Sequence, residues 1–384
     1  MFNFSYQNPT RIVFGKDQLS QLRKLIPTGA KVLLTYGGGS IKHNGVYQQV
    51  VDALKGVDWQ EFGGIEPNPS FETLMRAADV VRREKIDFLL AVGGGSVIDG
   101  TKFVAAAAVF EGDAWDILAK GAKITAAVPL GCVLTLPATG TESNGNSVVT
   151  RYETQQKLSF SSPLVYPTFA VLDPTVTYSL PPKQVANGVV DAFVHVMEQY
   201  MTYPVNAPVQ DRFAEGLLQT LIVEGPKALS EPQNYDVRAN VMWAATMALN
   251  GLIGQGVPQD WATHMIGHEI TALYGLDHAQ TLAIVLPPLL QQQRSSKREK
   301  LLQYGRRVWN LQHQDDERLI DEAINHTRAF FEQMGVPTRL ADYGIKADAV
   351  DKLVRALETN GMLKLGEHGD ITPDVSRQIL QRAL

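Results

Sequence analysis

The sequence predicts an α/β domain with a mostly parallel, Rossmann-like sheet, followed by an all-α domain. Over the first 180 residues, short β-rich runs alternate with helical patterns, whereas the rest of the chain contains one helical pattern after another. The chain has 384 residues, 45% hydrophobic and 20% charged, which is long enough for two globular domains. We place the boundary just before Pro181, so the predicted domains are residues 1–180 and 181–384.

A strand, a glycine turn and a helix follow one another twice in the first part of the chain. Residues 31–36 (KVLLTY) have the pattern of a buried strand, and Gly37-Gly38-Gly39-Ser40 precedes an amphipathic segment. The same order recurs at residues 86–92 (IDFLLAV), Gly93-Gly94-Gly95-Ser96 and an Ala-rich helical segment. This alternation predicts parallel strands joined by crossover helices.

A third strand pattern, residues 131–136 (GCVLTL), leads into the hydroxyl-rich run 137–144 (PATGTESN). This run is too irregular for a helix interior, so we expect a loop at the carboxyl end of the strand. Such loops line the ligand crevice in open α/β sheets.

Apolar residues at helical spacing predict that the remaining chain is helical. Pro181 and Pro182 precede the first helix, which runs through residues 183–200. Further helices are predicted at about 207–229, 236–249, 259–273, 279–292, 320–334 and 350–358. For the basic residues Arg294, Lys297, Arg298 and Lys300 we expect a solvated helix face.

The composition argues against several classes of function. Forty acidic and 35 basic residues give a net charge of −5, which offers no basic face for nucleic acid. No apolar run approaches the ~20 residues that span a bilayer, and the first ten residues lack the features of a signal peptide. The single cysteine, Cys132, excludes an intramolecular disulfide and a thiolate metal site. We expect a cytoplasmic protein without nucleic-acid or membrane partners.

The two glycine turns are candidate phosphate sites. Backbone N–H groups at a glycine turn that opens a helix bind anions, because the missing Cβ allows close approach and the helix dipole favours negative charge. GGGS is not the GxGxxG fingerprint, so one copy would be weak support, but two copies on one sheet suit a dinucleotide. Asp99 and Lys102 follow the second turn, within reach of such a ligand. Their alternative roles are helix capping and a solvated lysine.

Four of the eight histidines fall within 84 residues and form the candidate metal site. Asp191 and His195 lie four apart on one predicted helix, so their side chains share a face. His264 and His268 repeat this spacing, and His278 follows after a break. One carboxylate and three imidazoles are an ordinary shell for a catalytic Zn²⁺ or Fe²⁺. Spacing alone does not decide between His264 and His268, and each histidine taken singly is more typical of a core residue.

A dinucleotide and a metal together indicate hydride transfer. The metal would polarise an aldehyde carbonyl, and the nicotinamide would carry the hydride. In the reverse direction the metal would lower the pKa of a bound alcohol so that an alkoxide forms, and His268, if it is not a ligand, would pass the released proton to solvent. The sequence lacks the motifs of two common classes of hydrolase. Ala272 stands where a zinc protease needs histidine, and the GxSxG motif of serine hydrolases does not occur.

These motifs together resemble those of the iron-containing (group III) alcohol dehydrogenases, and most of all the NADPH-dependent aldehyde reductase, butanol-dehydrogenase-like branch. The resemblance rests on GGGSxxDxxK at 93–102, TLPATGTESN at 135–144, Asp191-x3-His195 and His264-x3-His268-x9-His278. It spans the chain, starting from NPTRIVFG at 8–15.

The resemblance implies an N-terminal dinucleotide domain, an all-α C-terminal domain and a catalytic metal. Matching positions give the metal ligands as Asp191, His195, His264 and His278, with His268 beside the nicotinamide and substrate. We name His268 and Asp99 as candidate catalytic residues. The candidate cofactor contacts are Gly37, Gly38, Gly39, Ser40, Asn68, Gly94, Gly95, Ser96, Asp99, Thr135, Thr139, Asn144 and Lys157.

One departure from the family bears on the choice of cofactor. Many NAD-using relatives carry an acidic residue at the end of the first strand, where it would repel a 2′-phosphate. Here the turn is GGGS, with Lys42 just beyond, which favours NADP(H). Glu61, at the end of the next strand, would argue against this if it reached the ribose.

We therefore expect an NADP-dependent alcohol dehydrogenase of the EC 1.1.1 class, a homodimer that works mainly as an aldehyde reductase on small substrates, with one Zn or Fe. The alternatives are a glycerol-type polyol dehydrogenase and a dehydroquinate-synthase-like lyase. The lyase needs several cations around its anionic substrate, yet residues 185–200 and 258–280 contain no Lys or Arg. A non-enzymatic binding protein would not need the metal shell.

Overall fold

The computed structural model describes residues 1–384. Its strands all lie in the first half of the chain: β1 (Arg11–Phe14), β2 (Lys31–Tyr36), β3 (Asp58–Phe62), β4 (Phe88–Gly93), β5 (Leu130–Leu134), β6 (Asn146–Arg151), β7 (Gln156–Ser161) and β8 (Phe169–Leu172). Six of them form one parallel sheet in the order β1-β8-β5-β4-β2-β3. The predicted parallel sheet is confirmed.

Fourteen α-helices accompany the strands. Those of the sheet-containing part are α1 (Leu22–Leu25), α2 (Val46–Ala53), α3 (Phe71–Glu84), α4 (Gly95–Ala107) and α5 (Asp116–Ala119). The others are α6 (Pro182–Tyr200), α7 (Pro208–Ser230), α8 (Tyr235–Ala248), α9 (Ala262–Tyr274), α10 (His278–Gln292), α11 (Arg298–Arg307), α12 (Asp316–Gln333), α13 (Ala349–Thr359) and α14 (Pro373–Arg382). The sequence did not predict α1, α5 and α14, and it indicated α11 only through the helical spacing of its basic residues.

The sheet is buried on both faces, which explains why its strands contain nearly continuous apolar runs. Side chains alternate along β2: Val32 and Leu34 belong to the core on one face with α2, and Leu33 belongs to the core on the other face with α3 and α4. Cys132 of β5 is fully buried in the second of these cores.

The antiparallel hairpin of β6 and β7 was not predicted. Val149 of β6 and Phe160 of β7 are buried in the same core as α4. The Ser147 hydroxyl donates to the carbonyl oxygen of Asp99 at 2.8 Å, which attaches the hairpin to the first turns of that helix. Polar residues interrupt the apolar pattern of both strands, so their sequence did not indicate a hairpin.

The chain forms two compact units. One comprises residues 7–181 and 232–246 and contains the sheet; the other comprises residues 1–6, 182–231 and 247–384 and contains only helices apart from an isolated bridge between Leu365 and Ile371. Most of α8 belongs to the sheet-containing unit, because Met242 lies in its core and Trp243 packs edge-to-face on Phe14. The prediction that the second half of the chain is helical is confirmed.

The prediction of a solvated basic face near residue 300 was wrong for two of its four members. Lys297 is 2% exposed, and its ammonium lies 2.8 Å from Asp260 and 2.7 Å from Glu367. Lys300 is also buried and pairs with Asp211. Both lysines are buried because carboxylates from other segments pair with them, and such partners are not visible in local spacing.

Among the helices there is none that has both the length and the apolarity to span a membrane.

Candidate cofactor and metal sites

The two glycine turns lie side by side at the carboxyl edge of the sheet. Tyr36 of β2 pairs with Val92 of β4, so the turns that follow the two strands begin next to each other. The chain leaves β2 towards β3 on one side and leaves β4 towards β5 on the other. Such a point, where the strand order reverses, is where open α/β sheets bind their ligands.

The second turn requires glycine because other residues approach it closely. A Cβ on Gly94 would lie 3.0 Å from Leu136, and one on Gly95 would lie 2.7 Å from the Thr139 side chain. The Thr135 N–H also donates to the Gly93 carbonyl at 3.0 Å. The loop after β5, predicted from the sequence to follow the carboxyl end of the strand, is therefore packed against the start of α4.

Two further candidate cofactor residues, Asn68 and Lys157, are joined to this turn. The Asn68 N–H donates to the Ser96 hydroxyl at 3.3 Å, and the Lys157 ammonium donates to the Asn68 side-chain oxygen at 3.0 Å. Asn68 adopts a left-handed conformation with φ of 54°, which asparagine tolerates better than most residues. The structure thus brings the predicted contacts from three separate segments to one edge.

Asp99, Lys102 and Asn144 form a buried polar network beside these contacts. The Lys102 ammonium donates to Thr141 at 2.6 Å and to Asn144 at 3.1 Å. The Asp99 carboxylate accepts from the Thr141 hydroxyl and, at 3.0 Å, from the Val148 N–H. Burial raises the pKa of Asp99 and lowers the pKa of Lys102 to about 8. Lys102 is fully buried, so neither role predicted for it, phosphate contact or solvated lysine, is what the structure shows.

The first glycine turn is more open. Gly38 and Ser40 are exposed, and a Cβ on Gly38 would meet nothing within 4 Å. Lys42 is exposed and near this turn, where its ammonium lies 2.9 Å from Glu61.

Glu61 is held by three donors, which weakens the argument that it would select against a 2′-phosphate. Besides Lys42, the Tyr36 hydroxyl donates to it at 3.1 Å and the Tyr47 hydroxyl at 2.6 Å. The Lys42 ammonium also lies over both tyrosine rings, 4.8 and 4.7 Å from their centroids. From the sequence, Lys42 and Glu61 were two separate arguments about the cofactor, and their ion pair was not predicted.

In the helical unit, Asp191, His195, His264 and His278 form a cluster whose four ligand atoms lie within 4.8 Å of one another. α6 supplies Asp191 and His195, α9 supplies His264, and α10 begins at His278. His195 Nδ1 lies 3.5 Å and His278 Nε2 lies 3.8 Å from Asp191 Oδ1. Donor atoms bound to one Zn²⁺ at about 2.1 Å with tetrahedral angles lie about 3.4 Å apart, so these separations suit a shared ion.

Unsatisfied buried nitrogens in the cluster also fit a metal. His195 Nδ1 and His264 Nε2 are buried and have no hydrogen-bond partner, which is costly unless a ligand binds there. Burial, with a contribution from neighbouring His264, holds the pKa of His195 well below its usual value. A neutral imidazole is the form that coordinates a cation.

His268 lies next to the cluster but outside it. Its ring centroid is 6.4 Å from that of His264 and 5.4 Å from that of His278. The side chain is buried, on the same helix as His264. The choice that spacing left open between these two histidines is therefore made by the packing of α9: His264 joins the cluster.

Two acidic residues that the sequence analysis missed hold the histidine-bearing helices. Glu198 on α6 bonds His264 Nδ1 and accepts from the Thr263 N–H at 2.6 Å. Asp277 forms a capping box with Gln280 at the start of α10, and its carboxylate is 2.7 Å from Lys183. Glu198 follows Asp191 by seven residues and so shares its helix face, which is the signal that could have found it.

Trp261 packs beside the cluster. Its ring centroid is 5.3 Å from His264 and 6.2 Å from His195. Phe193 is instead fully buried against Phe330 and Phe331 and is a core residue.

Comparisons with known proteins match both parts of the chain. Residues 9–174 match the family described as iron-containing alcohol dehydrogenase, and residues 185–382 match the C-terminal part of the Fe-containing alcohol dehydrogenase family. The chain is 64% identical over 386 aligned positions to the NADPH-dependent aldehyde reductase YqhD of Escherichia coli, covering 100% of both chains. It is 43% identical to the probable NADH-dependent butanol dehydrogenase 1 of Bacillus subtilis, covering 94% of this chain and 95% of that one.

The chain is also similar to solved structures over its whole length. The substrate- and cofactor-free form of the E. coli aldehyde reductase YqhD is 62% identical, covers 100% of both chains and has a TM-score of 0.93. The NADH-dependent butanol dehydrogenase A of Thermotoga maritima is 37% identical, with 100% of this chain and 99% of that chain covered and a TM-score of 0.96.

Proposed function

Because the chain belongs to the iron-containing alcohol dehydrogenase family, as its motifs predicted, we propose that it is an NADP-dependent alcohol dehydrogenase that works mainly as an aldehyde reductase on small substrates. The observation that carries this proposal is the cluster of Asp191, His195, His264 and His278, with its four ligand atoms within 4.8 Å. Identity of 64% with a full-length NADPH-dependent aldehyde reductase supports the direction of the reaction and the cofactor.

When bound, a Zn or Fe ion supplies Lewis acidity for a carbonyl oxygen, and NADPH supplies the hydride. Asp191 and the three histidines hold the ion, and the carboxylate offsets part of its charge. His268, buried beside His264 and His278, is the group we assign to deliver a proton from a ring nitrogen to the product oxygen. Trp261 excludes water on the side of His195 and His264.

The sheet-containing unit binds the cofactor through the residues predicted for it. The N–H groups of Gly94, Gly95 and Ser96, at the start of α4, hold the pyrophosphate. Thr135, Thr139, Asn144 and Lys157 lie along the cofactor, with Asn68 near its adenosine end. Asp99 is the second proposed catalytic group, and the Thr141 hydroxyl and the Val148 N–H fix its carboxylate.

The first glycine turn carries the preference for NADP(H). Gly37, Gly38, Gly39 and Ser40 place no carboxylate beside the adenosine ribose, and Lys42 supplies a cation. The Glu61 carboxylate already accepts from Lys42, Tyr36 and Tyr47, so it repels a 2′-phosphate less than a free carboxylate would. We further propose that residues 1–180 form the cofactor domain, that residues 181–384 form the metal and substrate domain, and that the protein is a cytoplasmic homodimer.

Steady-state kinetics after metal exchange test this function. Protein stripped with a chelator and refilled with Zn²⁺ or Fe²⁺ should oxidise NADPH only when an aldehyde is present, and kcat/KM should be higher with NADPH than with NADH. A clear preference for NADH with glycerol would favour the polyol dehydrogenase instead. Absence of aldehyde-dependent NADPH oxidation in metal-replete protein would contradict the proposal. Size-exclusion chromatography with light scattering tests the dimer.

A further inference from the structure

Glu198 joins the two helices that carry most of the proposed metal ligands. It lies on α6, seven residues after Asp191 and three after His195, and these spacings place all three side chains on one face. Its side chain is 2% exposed. A buried carboxylate at this place requires donors, and both of its donors come from the first residues of α9.

The first donor is the N–H of Thr263. α9 begins after Trp261, which has a left-handed φ of 65° and no side-chain cap of its own. Glu198 Oε1 accepts from the Thr263 N–H at 2.6 Å, and the Glu198 carbonyl accepts from the Asp260 N–H at 2.9 Å. Glu198 therefore supplies, from another helix, an acceptor for the second N–H group of α9, beside the Ala262 N–H, from which the Asp260 side chain accepts at 2.9 Å.

The second donor is His264. Glu198 Oε2 bonds His264 Nδ1. A carboxylate accepts here, so Nδ1 carries the hydrogen and Nε2 keeps its lone pair. His264 Nε2 is buried and has no hydrogen-bond partner, which identifies it as the nitrogen available to a metal. The same contact prevents rotation of the ring about its χ angles.

We propose that Glu198 is a positioning residue for the metal site: it holds His264 in the tautomer and orientation that present Nε2 to the ion. The charge of the carboxylate also raises the basicity of the imidazole and strengthens the bond to the metal. This inference rests on the proposed metal site and assigns Glu198 no contact with the metal or the substrate.

Zinc affinity of the metal-free protein measures this role without turnover. Glu198→Gln keeps the size of the side chain and one acceptor oxygen, which can serve the Thr263 N–H, but that oxygen cannot also serve His264. We expect the apparent Kd for Zn²⁺, from competition with a chromogenic chelator, to rise about 10- to 100-fold. Glu215→Gln is the matched control, because Glu215 is a buried carboxylate of the same unit that accepts instead from Tyr200 and Arg307. It should bind zinc as the unsubstituted protein does.

A double-mutant cycle separates action through His264 from a general structural effect. If Glu198 acts through His264, adding Glu198→Gln to His264→Ala should change the residual Kd by no more than about twofold. A further loss as large as that of Glu198→Gln alone would overturn the inference, and so would wild-type zinc affinity in a folded Glu198→Gln variant. Long-range ¹H–¹⁵N spectra of the metal-free protein should report the Nδ1–H tautomer for His264, lost in Glu198→Gln. Failure of the unsubstituted protein to bind zinc would contradict the proposed metal site instead.

Discussion

Tyr36 of β2 and Val92 of β4 are register partners in adjacent parallel strands, so the two glycine turns begin together at one edge of the sheet. Gly38 and Ser40 of the turn after Tyr36 are exposed, and this turn carries no acidic residue. The turn after Val92 opens α4, whose N–H groups are suited to a pyrophosphate. The first turn is therefore where the two nicotinamide cofactors would be distinguished.

Gly38→Asp should shift the cofactor preference towards NADH. Gly38 has open space around its Cβ position, so the substitution adds a carboxylate without a clash. Repulsion of the 2′-phosphate should lower kcat/KM for NADPH about 10- to 100-fold and leave kcat/KM for NADH within about twofold. Gly216→Asp, at an open position on α7, controls for the added charge. An equal fall in kcat/KM with both cofactors would show that this turn does not distinguish the 2′-phosphate.

Lys42 and Glu61 should have opposite effects on NADPH binding. The Lys42 ammonium pairs with Glu61 at 2.9 Å. Glu61→Gln would remove the negative charge that offsets Lys42, so Lys42 would attract a phosphate more strongly. We expect Glu61→Gln to lower the Kd for NADPH, and Lys42→Met to raise it several-fold, with the Kd for NADH little changed in both. Titration of NADPH and NADH fluorescence measures these constants. Lys55→Met, which removes an exposed lysine paired with Asp52, should have no effect; changes of the same sign in both test variants would contradict the prediction.

His264→Ala and His268→Ala should separate metal binding from proton delivery. His264 belongs to the four-residue cluster, whereas His268 lies beside it. His264→Ala should lose most of its bound metal and most of its activity together, because the three remaining ligands hold the ion more weakly than four. His268→Ala should keep its metal and lower kcat about 10²- to 10⁴-fold, the usual contribution of a general acid. Metal content by elemental analysis, measured with kcat on the same samples, checks this, and retention of metal by both variants would show that the ligand assignment is wrong.

Lys102 should make stability rise with pH relative to a variant that lacks it. Burial lowers its pKa from 10.5 to about 8, so between these values the folded state binds fewer protons than the unfolded state, and unfolding becomes harder as pH rises. The difference in the free energy of unfolding between the wild type and Lys102→Met should shift in favour of the wild type by up to about 3 kcal/mol as the pH rises from 7.5 to 10.5. Urea unfolding of both proteins at several pH values measures the difference. A difference that is flat across this range would mean that Lys102 titrates normally.

The periodicity of the sequence determined most of the fold class and the two glycine turns. Residues 31–36 were predicted as a strand and form β2 with the same bounds, because a strand buried on both faces has a continuous apolar run. The predicted helix at 183–200 corresponds to α6, Pro182–Tyr200, which Pro181 and Pro182 introduce. The hairpin of β6 and β7 escaped prediction because its stability comes from packing on α4, not from an alternating pattern.

The sequence by itself identified the residues that share a helix face: Asp191 with His195, and His264 with His268. The family resemblance, not helical spacing, chose His264 over His268, and the cluster in the structure agrees with that choice. Only the tertiary structure decided that Glu198 bonds His264, that Lys42 pairs with Glu61, and that Lys102 is buried. The physical reason is the range of the interactions. Helical spacing is set by hydrogen bonds between residues four apart, whereas each of these contacts depends on how elements distant in the chain pack against one another.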